Sequence, residues 1–515
     1  MFEFSNNKNS NKRNDTEQQK ISTAQLYTSV DENISLLNRI LSKNPTIHFR
    51  TFEVQIACPI KCCMIFLDEM ANRKVLNENI LEPLMHVNLN TPIPTNELPD
   101  FFLNKVIISH NIEKVTDVDE LVGAILYGDA VLFINGVKEA LVIDSKGWEA
   151  RSISQPLSES AVRGPREGFT ESFKVNISLI RRRIRNPELK FEFTTVGAKT
   201  KTQIAICYIE GTANEKIINE LKKRLNTIKI DGILESGYIE ELIKDNKGSP
   251  FKTIGNTERP DVVAGKILEG RIAILCDGTP FVLTLPYIFV EYFQASEDYY
   301  NSFIYGTFNR MIRILGFLIS TSIPAIYVAL VTFHHEMIPT QLFLSITAAR
   351  EGVPFPTVVE ALIMLFVFEV IREAGIRMPS AIGQAVSIVG ALVLGDAAVA
   401  ARFISAPIVI VTAITGIGSF LLPKMLGPLV IIRILLLISS SILGMYGYIF
   451  GVIILFIHLM SIESFGIPYM TNCNSFSKYE IQDSAIRAPW WSMYYGPIFL
   501  SDKTKNPIQK GGRKR

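Results

Sequence analysis

An α/β part made of two copies of one unit and facing the cytoplasm, followed by an all-α domain that crosses a membrane several times, is the fold class this sequence predicts. Three observations carry it: charge is unevenly spread, the first half repeats at a fixed interval, and the second half holds long apolar runs. The chain has 515 residues, 48% of them hydrophobic, with a mean hydropathy of +0.24. Of its 102 charged residues, only 15 fall among the 172 positions from Asn301 to Asn472. A wholly soluble chain and a disordered chain are both excluded by that division. The net charge of +2 gives no electrostatic case for nucleic acid.

The chain opens on a polar, Asn- and Lys-rich stretch, and residues 1–30 are expected to be a disordered tail with no secretion signal. A shift of 142 positions then aligns residues 49–145 with 191–287 without a gap. Ala71, Asn72, Lys74, Asn77 and Glu78 fall on Ala213, Asn214, Lys216, Asn219 and Glu220. Asp119, Gly123, Gly128, Gly136 and Leu141 fall on Asp261, Gly265, Gly270, Gly278 and Leu283. Each copy reads as a strand, an amphipathic helix, a short helix ending at Gly128 or Gly270, and a hairpin. Asn135-Gly136 and Asp277-Gly278 mark the hairpin turns, because such turns need positive φ.

Residues 146–190 read as a linker containing a helix over Thr170–Arg185. It carries a basic cluster, Arg181, Arg182, Arg183 and Arg185, suited either to phosphate or anionic lipid headgroups or to a solvated face or ion-pair network. Six scattered cysteines, mostly in apolar strand-like runs, point to a reducing compartment and to packing. Cys58, Cys62 and Cys63 lack histidines at metal spacing, so no metal and no cofactor is expected. No phosphate-binding loop, dinucleotide fingerprint or nucleophile–base set stands out, so an enzyme is not expected.

Residues 300–472 form the helical domain. Ile314–Phe333 and Phe403–Pro423 are charge-free and long enough to cross, and Val353–Ile371 crosses with Glu360 and Glu369 inside it. Pro379–Gly395 is short and small-residue rich; Met337–Ala349 is too short and reads as interfacial or re-entrant. Ile434–Ile462 is charge-free for 29 residues, long for one crossing and short for two. Lys and Arg flanking these runs place the N-terminal part inside, and the basic tail, 473–515, belongs there too. Five simple crossings would put that tail outside, so one segment, Pro379–Gly395 or Ile434–Ile462, should fail to cross.

Two features of the helical domain point to function. Glu360 and Glu369 are ionisable groups within an apolar run, half a turn out of phase. Glu360 suits a cavity or interface, or else a helix terminus; Glu369 suits a helix-end network with Arg372 and Glu373. Ser380, Gln384 and Ser387 form one polar stripe flanked by Val386 and Val389. That pattern fits a water-lined path gated by small apolar side chains, or ordinary helix packing.

The motifs VRGPREGFTES, NISLIRRRIRNP, TFHHEMIPTQL, REGVPFPTVVEALIM and REAGIRMPSAIGQAVSIVGALVLGDAAV resemble the A subunit of GerA-type spore germinant receptors, from about residue 50 to Trp490 and Trp491. The resemblance implies a subunit of the spore inner membrane that assembles with an integral-membrane B subunit and a lipoprotein C subunit. It also implies a ring of A subunits that conducts cations when a nutrient, sensed mainly through the B subunit, binds. A gated ion channel, a transporter subunit and a non-conducting scaffold are the three readings left open.

Overall fold

The computed structural model describes residues 26–41, 44–56, 58–89, 93–147, 159, 162–378, 395–471 and 483–492. Helix α1 (Val30–Ile40) comes first. The first sheet contains β1 (Ile47–Ile56), β2 (Cys58–Leu67), β3 (Asn88–Leu89), β4 (Ile112–Val115), β5 (Ala130–Ile134) and β6 (Ala140–Ile143), in the order β3-β1-β2-β5-β6-β4. All pairs are antiparallel except β1 with β3. Residues 62–65 of β2 and all of β5 are buried on both sides. Continuous apolar runs of this kind arise when both faces of a sheet are covered. Helix α1 and α2 (Val118–Tyr127) cover one face, with Leu37, Leu121 and Ile125 against Ile65 and Phe133. Helical turns over 75–86 and 98–106 cover the other, with Ile80, Leu84 and Phe102 against Met64 and Leu132.

The second sheet repeats that order. After α3 (Phe173–Arg183) come β7 (Leu189–Val196), β8 (Thr202–Ile209), β9 (Gly255–Thr257), β10 (Ile272–Cys276) and β11 (Val282–Leu285), arranged β7-β8-β10-β11-β9. Helix α4 (Glu215–Thr227) and the helix Ser236–Ile243 cover one face; α3 and α5 (Pro260–Leu268) cover the other. Strands β5 and β10, strands β6 and β11, and helices α2 and α5 each start 142 positions apart. Gly136 and Gly278 hold φ of +90° and +83° in their hairpin turns.

The helix expected as a linker is not one. Helix α3 packs Phe173, Ile177 and Ile180 into the core of the second sheet, as α1 does on the first. Local bonding matches side chain for side chain. Asn33 accepts from Tyr27 N and donates to Tyr27 O, and Asn176 does the same with Thr170. The Val30 amide donates to Asn135 Oδ1, and the Phe173 amide to Asp277 Oδ1. Tyr27, Val30 and Asn33 stand 143 positions from Thr170, Phe173 and Asn176, one residue off the 142 interval, which is why a gapless shift passes over them. Each layer therefore starts earlier than 49 or 191. Leu26, placed by sequence in the tail, is already buried in the first core.

The helical part starts with α6 (Phe303–Thr332), followed by α7 (Thr340–Arg350), α8 (Thr357–Arg377), α9 (Ala406–Phe420) and α10 (Leu426–Ser461). Helix α6 and the stretch Pro423–Ser461 are long and apolar enough to cross a membrane. Helix α10 is two arms folded back on each other. Gly444 has φ 60° and ψ −137°, outside the helical region. A Cβ on Gly451 would lie 2.7 Å from the Leu436 side chain, a separation a straight helix would stretch to about 22 Å. The run that was long for one crossing and short for two thus starts earlier, at Leu426, and reverses at Gly444.

The returning arm brings the chain back to the second α/β layer. Ser464 Oγ donates to Thr253 O at 2.6 Å and Tyr469 OH to Lys252 O at 2.7 Å. Phe465 and Ile467 enter the core of the second sheet. Both the start of α6 and the end of α10 therefore lie at the α/β end of the bundle, and Gly444, against Phe333 and His334, lies at the far end.

Candidate functional site

Charge is buried at three levels along the helical part. At the α/β end, Arg310 and Arg313 sit three residues apart on one face of α6. Arg310 is fully buried. Its Nε donates to Asp298 Oδ2 at 3.0 Å, and its Nη1 to Asp483 Oδ1 at 2.8 Å and to the carbonyls of Asp483 and Ser484. Arg313 donates both Nη groups to Asp298. Tyr299 OH donates to Asp483 Oδ2 at 2.7 Å. A guanidinium can serve so many acceptors because it offers five N–H donors in a rigid fork. Arg310 thereby clamps the segment 483–487 onto the start of α6.

At the middle level, Arg433 of α10 donates Nε to Ser320 O at 2.9 Å and Nη1 to Glu369 Oε1 at 3.2 Å. Arg372 meets the other oxygen of Glu369 at 2.5 Å. Arg433 is thus the meeting point of α6, α8 and α10. Glu373, expected in the same network, pairs instead with Arg377. At the far level, Glu360 is fully buried. Its Oε2 accepts from the amide of Ser405, the N-cap of α9, at 2.9 Å, and its Oε1 lies 3.5 Å from Arg350. A carboxylate at a helix N-terminus is stabilised by the unpaired amides there. The two glutamates therefore serve different neighbours.

These clusters are incompletely satisfied. Arg310 Nη2, Arg372 Nε and Nη1, Arg433 Nη2, Arg350 Nε, Glu360 Oε1, Ser405 Oγ and Tyr327 OH are buried without a hydrogen-bond partner. Buried polar atoms in native proteins are normally paired, and charged ones need it most. Interactions of this kind can hold helices in one arrangement and exchange partners in another. They offer no nucleophile with a base and orienter, and no group of ligands suited to a metal exists among the described residues.

The basic cluster of α3 lies between the two α/β layers. Arg181 is 1% exposed, stacks on the Phe191 ring at 4.8 Å, and donates Nη2 to Asn44 Oδ1 and Thr46 Oγ1. Arg182 and Arg183 reach Glu167, and Arg185 lies 3.8 Å over the Tyr127 ring. Arg181 and Arg185 thus join the second layer to the first, while Arg182 and Arg183 form ion pairs with Glu167. Burial pushes the neighbouring Glu69 carboxyl up to about 7 and holds the Arg181 guanidinium down to about 10. Burial likewise pushes the thiols of Cys62, Cys63 and Cys276 up to about 12, so they pack as apolar groups.

The polar stripe of Ser380, Gln384 and Ser387, with Val386 and Val389, lies outside the described residues. Sequence reasoning missed the roles of Arg310, Arg433, Asp298 and Asp483. The arginines were visible as flanking charges, but their partners are distant in sequence and carry no local signal.

The chain matches the Bacillus/Clostridium GerA spore germination protein family over residues 35–498. It is 42% identical to spore germination protein KA of Bacillus subtilis (strain 168), over 95% of this chain and 90% of that protein. It is also 42% identical to the membrane protein YfkQ of the same organism, over 94% and 93%. Among solved structures, the N-terminal domain of the A subunit of the Bacillus megaterium spore germinant receptor GerK3 aligns with 52% of this chain and 98% of that chain, at 32% identity and a TM-score of 0.40.

Proposed function

Because the chain belongs to the GerA family of spore germination proteins, we propose that it is the membrane subunit through which ions leave the spore when a nutrient is sensed. On this reading it sits in the spore inner membrane and crosses it several times. The α/β layers and the basic tail face the spore core, and copies of the chain assemble into a ring around a conducting path. An integral-membrane B subunit, which receives the nutrient, and a lipoprotein C subunit complete the receptor.

The observation that supports this most is the inside-out distribution in the helical part. Glu360, Glu369, Arg310 and Arg433 are turned inward, whereas Ile410, Ile417, Leu435, Ile442, Ile454 and Ile457 are exposed. Such a surface needs lipid or further copies of the chain to cover it. Ser380, Gln384 and Ser387 remain our choice for the path, with Val386 and Val389 as its gate.

Reconstitution of the three subunits in liposomes tests the proposal. Downhill ion flux that starts on nutrient addition is expected. Uptake of a substrate coupled to an ion would favour a transporter subunit, and silence with all three subunits present would favour a scaffold.

A further inference from the structure

At the α/β end of the bundle, one buried cation has its best recognition edge unused. Arg487 is 2% exposed, and its Nε and Nη2 have no hydrogen-bond partner. Those two N–H groups form the side-on edge of a guanidinium, which matches two oxygens of a phosphate or carboxylate at once. Arg310 Nη2, also unpaired, belongs to the same cluster. The two guanidinium carbons lie 5.4 and 5.9 Å from the centre of the Tyr299 ring. Three arginines (Arg310, Arg313, Arg487) here face two acids, Asp298 and Asp483, both of which already accept from Arg310. One positive charge is left over.

The surroundings indicate what kind of anion comes. Arg487 lies 5.2 Å from the Trp490 ring, and Trp491 packs edge-on against Phe303, the first residue of α6. Trp490 and Trp491 are more than half exposed. From the first turn of α6 onward, Ile304, Phe308, Met311 and Leu315 are exposed apolar side chains. Tryptophans beside the start of an apolar surface mark the headgroup level of a bilayer. The arginine edge therefore lies where lipid phosphates lie.

We propose that the Nε–Nη2 edge of Arg487, backed by Arg310 Nη2, binds a phosphate group, supplied by an anionic phospholipid headgroup at the inner face of the membrane. The excess charge favours a headgroup with net negative charge over a zwitterionic one. Binding there ties the lipid surface to the segment 483–487 and, through Arg310, to Asp298 in the connection between the second layer and α6.

The test uses the full chain, stripped of lipid in neutral detergent, and follows its thermal unfolding while phosphatidylglycerol, diacylglycerol or inorganic phosphate is added. Phosphatidylglycerol should raise the midpoint and diacylglycerol should not. Arg487→Gln should weaken the phosphatidylglycerol effect about tenfold or more, the size expected for a lost charged bidentate contact. Arg487→Lys, which keeps the charge and loses the fork, should fall between, and it serves alone if the glutamine variant does not fold. If inorganic phosphate acts as well as the lipid, the site takes free phosphate and the lipid source is overturned. An unchanged response in both variants overturns the site.

Discussion

The α/β layers and the helical bundle solve the burial problem differently. In the layers, each sheet is covered on both faces by helices packed through apolar side chains, and most of the buried polar side chains there are hydrogen-bonded. The bundle is shorter, yet it holds ten of the nineteen buried side-chain atoms that lack hydrogen-bond partners among the described residues, and Arg487, in the segment clamped to it, holds two more. The contrast separates a base held by apolar packing from an element held by charges that could be bonded better. Packed apolar cores resist intermediate positions, whereas exchangeable ion pairs supply two or more. The bundle is therefore the part of this chain suited to change state on the base.

The contrast can be tested at several strengths, and function should respond most. If the stripe beyond Met378 lines the path, Ser387→Leu should abolish ion release, and Val389→Ala should give leakage without nutrient. Both are read as ion efflux from spores carrying the variant, at normal protein level. Wild-type efflux from both would move the path to another helix, the one carrying Glu360 first.

Stability should respond next, and in the bundle. Arg310→Met leaves Asp483 without its guanidinium partner and Asp298 with Arg313 alone, which should cost about 3–5 kcal/mol. The cost should fall on the helical part, seen as protease cleavage near residue 303 or 483 while the α/β layers stay resistant. Simultaneous loss of both parts would show that the base is not independent.

Within the base, the two copies differ in a measurable way. A Cβ on Gly136 would lie 2.8 Å from Thr95, whereas nothing lies within 4 Å of one on Gly278. Both residues have positive φ, so valine is strained at each, but Gly136→Val should cost more. About 2–3 kcal/mol against about 1–2 is expected from thermal unfolding. Equal costs would mean that the turn conformation alone matters.

The smallest effect concerns Glu69, at the joint between the layers. Its folded pKa, raised by burial to about 7, lies above the unfolded value. Its contribution to stability is thus complete below about pH 4 and is lost as pH rises through 7. Glu69→Gln should remove that decline, leaving the variant more stable than wild type by about 1–2 kcal/mol at pH 8 and little different at pH 5. A parallel pH profile in wild type and variant would assign the decline to other groups.

Much of this was readable before any coordinates. The 142-residue interval and the Asn-Gly and Asp-Gly turns depend on local chemistry, and both turns form where expected. We read the matching strand orders and the paired roles of Asn33 and Asn176 as the remains of an internal duplication. A one-residue offset hid the first helix of each layer, and its arginines drew attention to charge instead of to Ile177 and Ile180 beneath them. The reversal at Gly444 showed in the sequence as a charge-free run too long for one crossing, with Gly444, Gly447 and Gly451 inside it. Arg310 and Arg433 read as orientation signals because their acceptors, Asp483 and Ser320, are 173 and 113 residues away.

The most direct test of a moving bundle on a fixed base is hydrogen exchange of the assembled receptor with and without nutrient. Amides near Ser320, Glu360, Ser405 and Arg433 should change protection when nutrient is added, while β2, β5, β8 and β10 keep theirs. Changes confined to the strands, with the four bundle regions unaltered, would contradict the account.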